Sequence, residues 1–256
     1  MPSSRPTDTS ATFGFESVKP EDRQARVNEV FASVAERYDV MNDLMSGGLH
    51  RLWKGDMVAW LNPPKGRHPL HLIDVAGGTA DIALRVLGAG GDGVTAELVD
   101  ISPEMVAVGT RRVTDAGLAA RIRLQVGDAQ ALPFEAKQFD AYTIAFGIRN
   151  VTHVDRALAE AFRVLKIGGR FMCLEFSEVT VPMLDRLYDF HSFEVIPRLG
   201  EAVAGDRASY QYLVESIRRF PRQEAFAGMI RAAGFERVSY RNLSGGIAAI
   251  HSGWKI

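Results

Sequence analysis

The chain has 256 residues, of which 46% are hydrophobic and 24% charged, with 30 Lys and Arg against 31 Asp and Glu for a formal net charge of -1. This length suits one large α/β domain, and the near-zero charge excludes a nucleic-acid binder that works through a basic field. The single cysteine, Cys173, excludes an internal disulfide and a cysteine-rich metal site, and no apolar run approaches the ~18 residues of a membrane-spanning helix. Composition therefore predicts a soluble cytoplasmic enzyme or binding protein.

Residues 1–20 are rich in Pro, Ser and Thr and read as a flexible arm, with Phe13 and Phe15 as docking residues. From Glu21 to Tyr38 the residues Val27, Val30, Phe31, Val34 and Ala35 recur at helical spacing. A second helix is predicted from Leu49 to Leu61, stopped by Asn62-Pro63-Pro64-Lys65-Gly66. Strands then alternate with helices. Strands are predicted at 70–76, 94–99, 122–126, 139–146 and 171–176, and helices at 82–87, 103–116 and 154–165, with Lys166-Ile167-Gly168-Gly169 as a helix stop. Residues 181–199, 210–220 and 222–233 read as helices, and 235–240 and 247–251 as closing strands. This alternation predicts βαβ units and a parallel, doubly wound sheet, whose ligands sit beyond the carboxyl ends of the strands. Residues 21–256 are expected to form one domain, with 21–66 as a helical lid and 181–220 as a helical insertion on the substrate side.

The strand ends carry the chemistry. Asp74-Val75-Ala76-Gly77-Gly78-Thr79-Ala80-Asp81 closes the first strand and opens a helix, without the GxGxxG spacing that a dinucleotide fold uses. A carboxylate there is unhelpful to a pyrophosphate and suits a cation. S-adenosylmethionine carries a sulfonium and an ammonium group, and its carboxylate takes backbone N–H groups such as those of Gly77, Gly78 and Thr79. Asp100, followed by Ile101, ends the next strand and is placed to accept ribose hydroxyls; Asp128-Ala129, after the third, is placed for an adenine amino group. A nicotinamide-dependent oxidoreductase is the competing reading, and no metal is expected. After the fourth strand comes Ala145-Phe146-Gly147-Ile148-Arg149-Asn150, where Arg149 and Asn150 are the candidate catalytic pair: a fixed cation beside a side chain with both donor and acceptor.

The segment from Tyr38 to Trp53 resembles the signature Y-D-x-M-N-x-x-M-S-x-G-x-H-R-x-W of the ubiquinone/menaquinone biosynthesis C-methyltransferases. Arg163 to Ser177 resembles that family's second signature, and the likeness continues in Phe146 to Val151, Ile196 to Gly200, Tyr210 to Leu213, Glu215 to Ile217 and Asn242 to Ile247. Departures are Ala80 where a Gly is usual, Ile167 where a Pro is usual, and Ala145 where a Ser often meets the cofactor. The resemblance implies a class I, Rossmann-like methyltransferase fold: seven strands, mostly parallel, with helices on both faces. It also implies S-adenosylmethionine-dependent methylation of a polyprenyl quinol ring carbon, in ubiquinone or menaquinone biosynthesis or both. Ala145 and Phe146 then join the cofactor contacts, and Tyr38, Met41, Asn42, His50 and Trp53 become substrate contacts. His50, Tyr38 and Asp39 compete as proton acceptors. The substrate is membrane-borne, so peripheral membrane contact is expected, with the apolar stripe from Leu184 to Leu199 facing the tail, the core or a partner. A homodimer, membership in a quinone-biosynthesis complex, and a non-catalytic cofactor-binding or assembly role stay open, whereas a nucleic-acid partner does not.

Overall fold

The computed structural model describes residues 11–34, 42–43, 45–179 and 207–256. Tyr38 and Met41, Asp39, and the apolar stripe from Leu184 to Leu199 lie outside the described residues.

Residues 11–18, read from the sequence as part of a flexible arm, form a hairpin. Strand β1 (Ala11–Phe13) pairs antiparallel with β2 (Glu16–Val18) across Gly14, whose φ of 56° supplies the left-handed turn. Phe13 docks as expected, stacked on Tyr212 at 4.2 Å, whereas Phe15 is exposed. Helix α1 (Pro20–Val34) follows, then α2 (His50–Leu61), which Asn62 ends in a left-handed C-cap.

The alternating part of the chain runs β3 (Leu70–Val75), α3 (Asp81–Ala89), β4 (Val94–Asp100), α4 (Pro103–Asp115), β5 (Ile122–Val126), β6 (Phe139–Ala145), a 3₁₀ turn (Ile148–Asn150), α5 (Val154–Val164) and β7 (Leu165–Phe176). After it come α6 (Arg207–Arg219), α7 (Gln223–Ala232), β8 (Glu236–Leu243) and β9 (Ala248–Trp254). The large sheet has seven strands in the order β5-β4-β3-β6-β7-β9-β8. All neighbours are parallel except β9, which is antiparallel to both β7 and β8.

Period-two alternation splits the core into two layers. Leu72, Leu98, Met172 and Leu174 join Val27, Met57, Val86 and Leu213 on one face of the sheet. Ile73, Val99, Tyr142 and Cys173 join Leu158, Ala161, Phe226 and Ile230 on the other. Cys173 is fully buried packing. Strand β7 starts six residues before the sequence reading placed it. Helix α5 ends at Val164, close to the expected stop, but the residues that stop it are paired backbone: Gly168, at φ 81°, donates its N–H to the Lys255 carbonyl, and the Lys255 N–H donates to the Gly169 carbonyl.

The sheet order reverses at β3, where β4 continues to one side and β6 to the other. The loops after β3 and β6 therefore diverge and open a crevice. Gly109 of α4 sets the floor of the first loop, since a Cβ there would stand 2.5 Å from the Gly78 carbonyl oxygen and 2.8 Å from Leu124. Gly109→Ala should lower the urea midpoint, because overpacking of about 1–3 kcal/mol outweighs a helix-propensity gain of about 1 kcal/mol. A raised midpoint would show that the Gly78 loop yields freely.

Candidate active site

Four residues beside the crevice hold left-handed backbone: Ala76 (φ 50°), Gly78 (φ 47°), Ala80 (φ 64°) and Phe146 (φ 59°). For a non-glycine residue this costs roughly 1 kcal/mol, and such positions cluster where a ligand is bound. Ala80 is the N-cap of α3, which explains why glycine suits that position. The ends of β3 and β6 come so close that a Cβ on Gly147 would stand 2.4 Å from the Ala76 Cβ.

Two carboxyl groups are buried there. Asp74 accepts from Thr143 Oγ1 at 2.8 Å and from the Ala83 N–H at 3.2 Å, which joins β3 to β6 and to α3. Burial outweighs these bonds and raises its pKa to about 7. Asp100 accepts from the Gly78 N–H at 2.8 Å and the Ser102 N–H at 2.9 Å, and burial raises its pKa to about 6. Both folded values lie above the unfolded value of about 3.9, so ionising them as pH rises toward neutrality weakens the ligand-free fold. A bound cation reverses that penalty.

The crevice is a cleft of about 630 Å³, open mouth included, and Asp100, Ile101, Asp128, Ala129, Phe146 and Asn150 are among its walls. No Lys or Arg lines it among the described residues. A recess of about 320 Å³ adjoins it at Ala76 and is lined by Asp74, Gly77, Gly78, Thr79 and Ala145, together with Lys54, which is paired to Asp81 at 2.7 Å. Acids without free cations reject phosphate and suit a cationic nucleoside. The sequence reading of these residues as neighbours at the strand ends thus matches where the structure places them. The Asp128 carboxylate is engaged by Gln130, whose backbone N–H lies at 2.9 Å and Nε2 at 3.1 Å.

Arg149 and Asn150 lie in the 3₁₀ turn after β6, and both are buried. Arg149 Nη1 donates to Glu175 Oε1 at 2.7 Å and to the Phe146 carbonyl at 2.7 Å, and the guanidinium lies over the Phe176 ring. Its Nε has no partner among the described residues. Asn150 borders the cleft, whereas Arg149 lines a second cavity of about 740 Å³ on the far side of the turn.

His50 and Trp53, expected as substrate contacts, line neither the cleft nor the recess. His50 is buried with Nε2 2.8 Å from Asp43, and burial lowers its pKa. Trp53 donates from Nε1 to Ser244 Oγ at 2.9 Å and packs edge-on to Phe176, because its large apolar ring belongs in the core. Asn42 is buried as well, with Nδ2 unpartnered among the described residues.

The model of the ubiE/COQ5 methyltransferase family matches residues 19–255. The chain belongs to the ubiE/COQ5 methyltransferase family. It is 62% identical over 249 residues to the ubiquinone/menaquinone biosynthesis C-methyltransferase UbiE of Methylobacterium nodulans, covering 97% of this chain and 98% of that one. The Brucella abortus protein of the same name is 58% identical over 245 residues, covering 96% and 91%. Among solved structures, a SAM-dependent methyltransferase from Aquifex aeolicus superposes with a TM-score of 0.62 at 13% identity, over 88% of this chain and 98% of that one. Haemonchus contortus phosphoethanolamine N-methyltransferase 2, in complex with S-adenosyl-L-methionine, gives 0.59 at 15% identity, over 79% and 52%. These likenesses establish the Rossmann-like class I methyltransferase fold.

Several site-forming residues escaped the sequence reading. Gln24 and Val27 of α1 wall the cleft, yet in sequence they are only positions on a helix. Arg23 donates to the Arg149 carbonyl at 3.1 Å and the Asn150 carbonyl at 2.8 Å, a contact across more than a hundred residues. Glu175 was visible as an acid at a strand end, but its partner was not. Glu175→Ala should lower stability by about 3–5 kcal/mol, since it strands a buried guanidinium. Chemical denaturation checks this, and a loss below about 1 kcal/mol, as for an exposed pair, would contradict it.

Proposed function

We propose that the chain transfers a methyl group from S-adenosylmethionine to a ring carbon of a polyprenyl quinol. The ring is that of 2-methoxy-6-polyprenyl-1,4-benzoquinol, of demethylmenaquinol, or of both. The single observation that carries this is the buried Arg149–Asn150 turn set against a cleft walled by Asp100 and Asp128. The relatives' shared name supports the substrate class.

The residues present fit the cofactor. Asp74 lies beside the recess that suits its ammonium and sulfonium end, with the N–H groups of Gly77, Gly78 and Thr79 for its carboxylate. Asp100 and Ile101 suit the ribose, Asp128 and Ala129 the adenine, and Ala145 and Phe146 the path between. When bound, S-adenosylmethionine supplies an electrophilic methyl group. The protein must make a ring carbon nucleophilic and keep water out. A quinol ring carbon gains electron density when an adjacent hydroxyl loses its proton, so stabilising that phenolate is the main task. Asn150, which borders the cleft, donates to the ring oxygen, and Arg149, paired with Glu175 on the far side of the same turn, holds that turn in place. With Glu175 balancing it, Arg149 stays folded in the ligand-free protein. Tyr38, Met41 and Asn42 remain the substrate contacts that the family signature implies. No helix among the described residues is long and apolar enough to cross a membrane. Because the proposed substrate is membrane-borne, peripheral membrane contact belongs to this reading, and a homodimer or a larger quinone-forming assembly fits the same task.

The purified protein should methylate reduced benzoquinol or naphthoquinol with one S-adenosylhomocysteine released per methyl group, and leave the oxidised quinones untouched, because their ring carbons are electrophilic. Mass spectrometry of the products decides, and equal turnover of quinone would overturn the phenolate mechanism. Cofactor affinity should also depend on pH. Asp74 must be ionised to hold a cation and Asp100 to accept from both ribose hydroxyls, so affinity should fall about twentyfold between pH 8 and pH 6, with proton release on binding. Calorimetry in two buffers of different ionisation enthalpy measures both; a constant Kd across that range would remove these acids from the cofactor site.

A further inference from the structure

We propose that Tyr212 is a positioning residue for methyl transfer: its buried hydroxyl fixes the Asn150 amide so that the N–H side, and not the carbonyl oxygen, is offered to the ring. This rests on the reaction proposed above.

Tyr212 Oη donates to Asn150 Oδ1 at 3.1 Å, and both side chains are buried. Burial also raises the pKa of the phenol, so the group keeps its proton and remains a donor. An asparagine amide has one acceptor end and one donor end. With Oδ1 engaged by Tyr212, Nδ2 is the free end, and its contact to the Phe146 carbonyl is long, at 3.5 Å.

Both sides of this contact are braced. The Tyr212 ring is stacked on Phe13 of the hairpin, with 13° between the ring planes. The Asn150 backbone is held by Arg23, which also donates to Thr152 Oγ1 at 3.1 Å and, through Nε, to the Thr12 carbonyl at 2.7 Å. Thus α1, α6 and the hairpin converge on one amide. The polarity of that amide decides the chemistry. A donor facing the ring oxygen favours the phenolate, and an acceptor there would favour the neutral hydroxyl and a less nucleophilic carbon.

Tyr212→Phe keeps the ring and its stack and removes only the hydroxyl, so its melting temperature should stay near that of the unaltered protein. Its kcat should fall about tenfold with the KM for S-adenosylmethionine unchanged, since a fixed transition-state donor is lost while the cofactor walls are intact. In an Asn150→Ala background the same substitution should change kcat by less than about twofold, because the effect passes through Asn150. Full additivity of the two losses would overturn the proposal. In 15N-labelled protein the Asn150 side-chain NH2 pair, assigned by its disappearance in Asn150→Ala, should shift in Tyr212→Phe. An unmoved pair would overturn the contact whatever the turnover. An unaltered protein that methylates no quinol would overturn the reaction, while the labelled amide would still decide whether Tyr212 orients Asn150.

Discussion

The ends of β3 and β6 pass each other with no room for a side chain at Gly147, and the rest of the site depends on that approach. Parallel neighbours whose chains leave in opposite directions must open a gap between their loops. Here the gap is kept narrow by Gly147 against Ala76, and it is stitched by Asp74 to Thr143 across the two strands. The left-handed Ala76, Gly78 and Phe146 turn the backbone sharply at the rim. The left-handed Ala76 and Phe146 are locally unfavourable, and with Gly78 they place backbone N–H groups and carboxylates around one hollow.

The buried polar groups form two systems with different duties. Asp74 and Asp100 are held by neutral donors and have no direct cationic partner among the described residues, so they stay poised for a charge brought from outside. Arg149 and Glu175 are already matched to each other, as are Lys54 and Asp81. A matched pair keeps its geometry whether or not ligand is present, whereas an unmatched acid responds to ligand and to pH. The cleft therefore combines buried acids that respond to a ligand with a neighbouring turn held rigid by a matched ion pair.

Much of the architecture was legible before any coordinates. The short apolar run at 70–76, the alternation at 122–126 and the glycines at 77 and 78 are local signals, and they marked two strands and the first loop correctly. The acids at 74, 100 and 128 were readable because a parallel sheet brings successive strand ends to one edge. What stayed hidden was long-range. Nothing near residue 23 or residue 212 indicates that these side chains meet at Asn150, since that meeting is made by the packing of α1 and α6 over the sheet. The start of β7 was hidden for the same reason: Gly168 and Gly169 signal a turn by composition, and only pairing with residue 255 makes them strand. His50 and Trp53 fell within a dense motif, and both are buried, outside the linings of the cleft and the recess.

Strand β9 is the last element in chain order, yet it sits between β7 and β8, and Lys255 just beyond it donates to the carbonyls of Phe162 and Leu165 at the junction of α5 and β7. Until β9 arrives, β7 has one bare edge, and Glu175 near its end faces Arg149 from a strand that is only half paired. Such non-local pairing is slow and leaves an edge open to other chains. The strand that carries Glu175 is therefore fully paired only once the last strand of the chain is in place.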